Sequence, residues 1–201
     1  MVNELIAYCG PAAVPEDVWL RWNTDPVLIA ALAALAYGVA RRATHKNAGW
    51  AAIALMAVVF ISPLCALSSA LFSVRVLHHV ILVSAAAPLL ALAFPQRRAG
   101  VVPLALLVAA HAVALWVWHA PGPYSWGLAT VPGYWLMQLT LLGSAWWMWR
   151  AILSNTTPNG SALVALAVTV GQMGLLGALI VFASGPLYPV HFASTLEWGF
   201  T

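Results

Sequence analysis

Charge is what this sequence has least of. Only 6% of its 201 residues are Asp, Glu, Lys or Arg, five acidic and eight basic. A soluble domain carries about a quarter charged residues, so this chain lacks the polar surface needed to stand in water. Cysteine is nearly absent too: Cys9 and Cys65 allow one disulfide at most and form no closely spaced metal knuckle. The chain has no phosphate-binding loop, no HExxH zinc-hydrolase pattern, no GxSxG elbow and no CxxCH haem-attachment motif. An independent enzyme is therefore not expected. The net charge of +3 and the pI near 9.2 come from basic residues divided among short loops. That is a topology signal and gives no nucleic-acid footprint. Residues 1–26 hold Glu4, Glu16, Asp17 and three prolines and no early apolar run, so no signal peptide is expected there.

What the chain does have is long apolar runs, with 63% hydrophobic residues and a mean hydropathy of +0.91. The expected fold is an all-α, polytopic membrane helix bundle. Residues 1–26 read as an outer-side tail, 27–183 as a domain of six transmembrane helices, and 184–201 as a second outer-side tail. The six crossings are placed at 27–41, 50–72, 75–94, 101–119, 133–152 and 161–183. Pro63 and Pro88 lie inside the second and third and predict kinks there. The uncharged stretch APGPYSWGLATVPG after the fourth predicts a shaped surface loop. Trp146, Trp147 and Trp149 read as interfacial belt residues. Gly171, Gly174 and Gly177 form a smooth stripe on the last crossing, suited to close helix contact. With the N-terminus outside, Arg41, Arg42, Lys46, Arg97, Arg98 and Arg150 all fall on the cytoplasmic side.

That orientation gathers Cys9, His78, His79, His119 and His191 at the outer face, with Cys65 about two turns below it. Thiolate, thioether and imidazole suit Cu(I), and imidazole alone also suits haem iron. Arg75 and His79 share one helix face, whereas His78 is turned about 100° away. Cys9, Cys65, His79 and His119 are the candidate metal ligands, with His78, His191, Met137 and Arg75 as candidate accessory residues. The cysteines admit three readings: a disulfide, a pair of Cu(I) donors with Met137 nearby, or two unrelated residues. His111 reads as a second site or as a neutral histidine bonded across helices. Arg75 has Glu197, Asp17 and Asp25 as available carboxylate partners.

The stretches YCGPAAVPEDVWLRWNTDP, SPLCALSSALFSVRVLHHVILVSAAAPLL, ALWVWHAPGPY and GLLGALIVFASGPLYPVHFASTLEWG, together with the aromatic fifth helix, resemble the CtaG family, membrane proteins required for assembly of caa3-type cytochrome c oxidase. The resemblance implies a multi-pass protein of the bacterial inner membrane that acts as a chaperone, assisting copper delivery to the oxidase or maturation of its catalytic subunits. Oxidase subunits, a periplasmic copper chaperone and membrane lipids are the implied partners. Two alternatives stand beside it: a metal-free scaffold or accessory subunit of the oxidase, and a haem-binding electron carrier. Family members often carry two histidine pairs of spacing four. In this chain Arg75 and His79 occupy one pair of positions, and Tyr134 and Gln138 the other. Relatives also continue past the terminal WG into a further crossing, which leaves two readings of the end at Thr201: a naturally short chain, or one from which a seventh helix is missing.

Overall fold

The computed structural model of the protein describes residues 8–98 and 100–200, and no strand occurs among them. Helix α1 (Pro26–Arg42) begins where the Asp25 carboxylate accepts the Val27 amide at 2.8 Å, with Pro26 at the first helical position. It ends on Arg41 and Arg42, which suit the negative end of the helix dipole. Helix α2 (Lys46–Ile61) returns, and Pro63 then breaks the path as expected. Helix α3 (Leu64–Ala70) leaves at 51° to α2.

Helix α4 (Phe72–Ile81), a five-residue π turn (Leu82–Ala86) and helix α5 (Ala87–Ala93) follow as one unbroken element, Phe72–Ala93. The expected kink at Pro88 is replaced by this π turn. In π register the Ala87 amide donates to the Leu82 carbonyl, five residues back. The next donor in that register would be Pro88, which has none. Its orphaned acceptor, the Val83 carbonyl, is taken by the indole Nε1 of Trp149 at 2.9 Å. Trp149 is thus part of the internal bonding and not only an interfacial belt residue.

Helix α6 (Leu104–His119) leads into helix α7 (Pro121–Ala129) at 76°. The stretch expected to be a loop is therefore largely helical. Its prolines explain the difference: Pro121 and Pro123 sit in the first turn, where amides have no intrahelical acceptor in any case. Helix α8 (Val131–Ile152) is capped by Thr130, whose hydroxyl accepts the Gly133 amide at 3.1 Å. Helix α9 (Asn159–Val181) and a short helix α10 (Phe192–Glu197) complete the chain. The core lies among α2, α5, α6 and α8. There Ala52, Ala86, Ala87 and Ala145 let backbones approach, and Met56, Leu82, Leu115 and Leu141 fill the space.

By length and composition, Phe72–Ala93 and Asn159–Val181 can each cross a membrane, and the two bent pairs α2 with α3 and α6 with α7 raise the number to four. Helix α1 has 17 residues, about 26 Å of rise, short of a bilayer core of about 30 Å. Helix α8 is long enough but carries four tryptophans, Gln138 and Arg150. Two to four spans is thus the number that length and apolarity support, against the six expected.

The two ends of the bundle differ chemically. At one, the Thr44 amide donates to the Ala93 carbonyl at 2.8 Å, Arg97 to the Thr44 hydroxyl at 3.2 Å, and the Ser154 hydroxyl to the Gln96 carbonyl at 3.4 Å. Arg41, Arg42, Lys46, Arg98 and Arg150 belong to the same end. At the other, Asn23 caps α2 by donating to the carbonyls of Ile61 at 2.8 Å and Phe60 at 3.1 Å. Trp198 Nε1 there donates to the Ala13 carbonyl at 2.9 Å, which ties the two terminal segments together. The glycine stripe on α9 does not make the close contact expected of it: a Cβ at Gly171, Gly174 or Gly177 would meet no described atom within 4 Å.

Candidate functional site

The histidine-bearing end is built around α4. Because Phe72–Ala93 starts there, its first two turns present Arg75, His78 and His79 to three different neighbours. Arg75 is 1% exposed. Its Nε donates to the Ser68 carbonyl at 3.1 Å, and its guanidinium lies 5.6 Å from the centre of the Tyr134 ring. Both terminal nitrogens are buried without a hydrogen-bond partner. The carboxylate partners expected for it are engaged elsewhere or exposed. Asp17 pairs with Arg21 at 3.3 Å, Asp25 accepts the Tyr8 hydroxyl, and Glu197 is exposed.

His78 faces α2, edge-on to Phe60 at 5.2 Å between ring centres. His79 faces α6, where its ring centre is 5.9 Å from that of His119 at an interplanar angle of 78°. The two adjacent histidines therefore serve different surroundings, as helix geometry requires. All four of their ring nitrogens are buried and without partner. His119 is oriented by its Nδ1, 2.7 Å from the Leu115 carbonyl. A carbonyl only accepts, so Nδ1 carries the proton and Nε2 keeps the lone pair.

His79 and His119 stand at the wall of a cavity of about 250 Å3 between α4, α6, α8 and α9, otherwise apolar and including Val83, Leu115, Leu141 and Met173. Met173 is a thioether that the sequence reading passed over. It sits in an apolar helix with no motif around it, and only the packing of α9 brings it to this wall. Met137, the thioether expected here, is fully buried and does not line this cavity; its sulphur is 3.4 Å from where a Cβ of Gly127 would stand.

Cys9 and Cys65 are joined in a disulfide with their Cα atoms 5.4 Å apart. Bonded to each other, the two sulphurs are not thiolate ligands, which corrects their place in the expected donor set. The Tyr134 hydroxyl lies 3.7 Å from the Cys9 sulphur and 3.9 Å from that of Cys65. His191 is likewise committed: its Nδ1 donates to the Ala70 carbonyl at 3.3 Å, so its Nε2 accepts the Tyr124 hydroxyl at 2.6 Å. Burial holds its pKa down to about 4. His191 is a latch for the terminal segment and has no nitrogen left for a metal. His111 takes the bonded alternative, with Nδ1 2.9 Å from the Ser144 hydroxyl across α6 and α8.

Arg75 on α4 and Tyr134 on α8 thus meet at one end of the bundle. The Gln138 amide, 2% exposed, has neither its nitrogen nor its oxygen paired. Among the described residues no three His, Cys, Asp or Glu side chains converge as a metal site. The arrangement puts two imidazole rings side by side at the wall of an apolar cavity, beside a buried cation.

A family model described as cytochrome c oxidase caa3 assembly factor matches residues 98–201, just over half of the chain. His119, Tyr134, Gln138, Met173 and His191 lie inside the matched part, and Cys9, Cys65, Arg75, His78 and His79 outside it. No curated protein and no solved structure matches.

Proposed function

From the premise that this chain belongs to the cytochrome c oxidase caa3 assembly factor family, we propose that it is a multi-pass protein of the bacterial inner membrane that hands Cu(I) to the oxidase. His79 and His119 hold the ion in passing. The six helical legs α1, α2, α4 with α5, α6, α8 and α9 cross the bilayer with the basic end inside. The cargo site then opens toward the outer compartment, where copper is loaded.

The observation that carries the reading is the His79–His119 pair. Two imidazoles bound to one ion through bonds of about 2 Å place their ring centres about 6 Å apart, and the rings stand at 5.9 Å. His79 has both nitrogens uncommitted, and His119 has its Nε2 lone pair available through the bond at Nδ1. A carbonyl holding the far nitrogen is the usual outer-shell support of a ligating histidine. A two-donor clamp suits a cargo that must leave, because a closed three- or four-ligand cage would retain it.

Copper titration under a reductant, against a chromophoric Cu(I) chelator, tests this. One equivalent is expected for the wild type, with loss in His79→Ala and in His119→Ala and retention in Cys9→Ser. Protein that binds no copper yet co-purifies with oxidase subunits would replace the reading by a metal-free scaffold. That second reading is favoured by the disulfide, which takes both sulphurs out of the donor set.

A further inference from the structure

At the basic end, away from the histidines, a polar pocket of about 420 Å3 is lined by His45, Gln96, Arg97, Arg150, Asn155 and Thr156. Arg150 also lines an apolar groove of about 510 Å3 that runs along α8 past Leu35, Met56, Leu90, Phe94, Leu142 and Trp146. Between Leu139 and Arg150, both on its wall, the groove extends about 16 Å by helix rise. We propose that pocket and groove form one binding site for an anionic phospholipid. The headgroup phosphate lies against Arg97 and Arg150, and one acyl chain lies in the groove.

Three points favour that occupant. The first is charge. No Asp or Glu occurs anywhere between Asp25 and Glu197, so the pocket has no internal counter-ion. The acidic residues named above are at the opposite end. Arg97 spends one nitrogen on the Thr44 hydroxyl at 3.2 Å and is otherwise exposed.

The second is a pair of unmet donors at the joint between pocket and groove. The Arg150 guanidinium lies 4.9 Å from the centre of the Trp146 ring. Arg150 Nε and Trp146 Nε1 are both buried without an acceptor. Buried donors in a folded protein are nearly always paired. Phosphate and glyceryl ester oxygens, the acceptors of a lipid's polar region, are what a lipid would bring to these two residues of the groove wall.

The third is the join itself. A free anion would leave the groove empty, and a neutral amphiphile would leave two guanidinium groups without a counter-charge. A molecule with an anionic head and an apolar tail meets both needs, and basic pockets between membrane helices are where such headgroups bind. This inference does not depend on copper handling.

The test uses the full-length protein in a nonionic detergent, offered dioleoyl phosphatidylglycerol, dioleoyl phosphatidylcholine or inorganic phosphate. Retained lipid is counted by native mass spectrometry. One phosphatidylglycerol is expected to be retained in preference to phosphatidylcholine. Each of Arg97→Gln and Arg150→Gln should weaken retention about fivefold. Arg150→Lys should restore most of it, which separates lost charge from lost folding. Leu142→Trp, which fills the groove and leaves the charges in place, should also release the lipid. Arg41→Gln, at the same end but outside the pocket, should not. Equal retention of phosphatidylcholine would overturn the proposal. So would displacement of the lipid by millimolar inorganic phosphate, or an Arg41→Gln effect as large as that of Arg97→Gln.

Discussion

The indole of Trp149 on α8 donates to the Val83 carbonyl in the π turn of Phe72–Ala93 at 2.9 Å. That bond replaces the one Pro88 cannot make. It joins two legs of the bundle through a defect in one of them, and so the tryptophan and the proline are energetically coupled although they lie on different helices. Trp149→Phe leaves a buried carbonyl unmet and should lower stability by about 1 kcal/mol, within the range found for single hydrogen bonds in membrane proteins. In a Pro88→Ala background the helix regains an amide at position 88, and the same Trp149→Phe change should cost less. Thermal unfolding of the four-member cycle reads this. Strictly additive effects would show that the π turn does not depend on the proline.

Cys9 and Cys65 close a loop of 56 residues that contains α1 and α2. The chain-entropy model gives about 4 kcal/mol for a loop of that length, an upper bound where the unfolded chain stays in detergent. Cys9→Ser and Cys65→Ser should lower the melting temperature equally, and the double variant should go no lower than either. Maleimide labelling of unfolded protein should find no free thiol before reduction and two after it.

Arg75 is a buried cation with two unpaired terminal nitrogens. A charge in such a place is costly to stability, and an apolar residue of similar volume is often neutral or favourable by about 1–4 kcal/mol. Arg75→Met should therefore leave the melting temperature unchanged or raise it, while oxidase assembly falls if the cation serves the neighbouring histidines. A large loss of stability would instead reveal a counter-charge supplied from outside the described residues.

Asp25 accepts the Tyr8 hydroxyl and the Val27 amide, at the point where the N-terminal segment meets α1. The Tyr8 bond first, then the Val27 bond, hold its carboxyl below the usual carboxylate range. A carboxylate depressed in the folded state contributes stability above its unfolded pKa of about 3.9 and loses it as pH falls through the lower folded value. Protection of residues 8–25 against hydrogen exchange, taken relative to the intrinsic rate at each pH, should be high at neutral pH and fall below about pH 4. Asp25→Asn should abolish that transition. Protection that does not change with pH would remove the Tyr8–Asp25 contact from the clasp.

Parts of the candidate site were legible from spacing alone. The 100° step between residues 78 and 79 made it necessary that adjacent histidines part company, and His79 does meet His119 while His78 meets Phe60. The Pro63 break was legible for the same local reason, a missing amide in mid-helix. Met173 was not, because a methionine in an apolar run carries no periodic or motif signal. Nor was α7, since a proline-rich stretch reads as a loop unless its prolines fall in a first turn, which depends on where α6 ends. The resemblance to an oxidase assembly family was legible along most of the chain, and the family match covers residues 98–201.

The sequence by itself decided that this chain is built from long apolar helices with six of its eight basic residues toward one end, because an apolar run of about twenty residues satisfies its backbone within its own helix. The tertiary structure decided which donors are free. It spent both cysteines on each other, both nitrogens of His191 on a latch and one nitrogen of His119 on a carbonyl, and it left His79, Gln138 and the two terminal nitrogens of Arg75 buried and unpaired. Sequence lists donors and acceptors, but pairing is a property of distance, and only packed helices set distances.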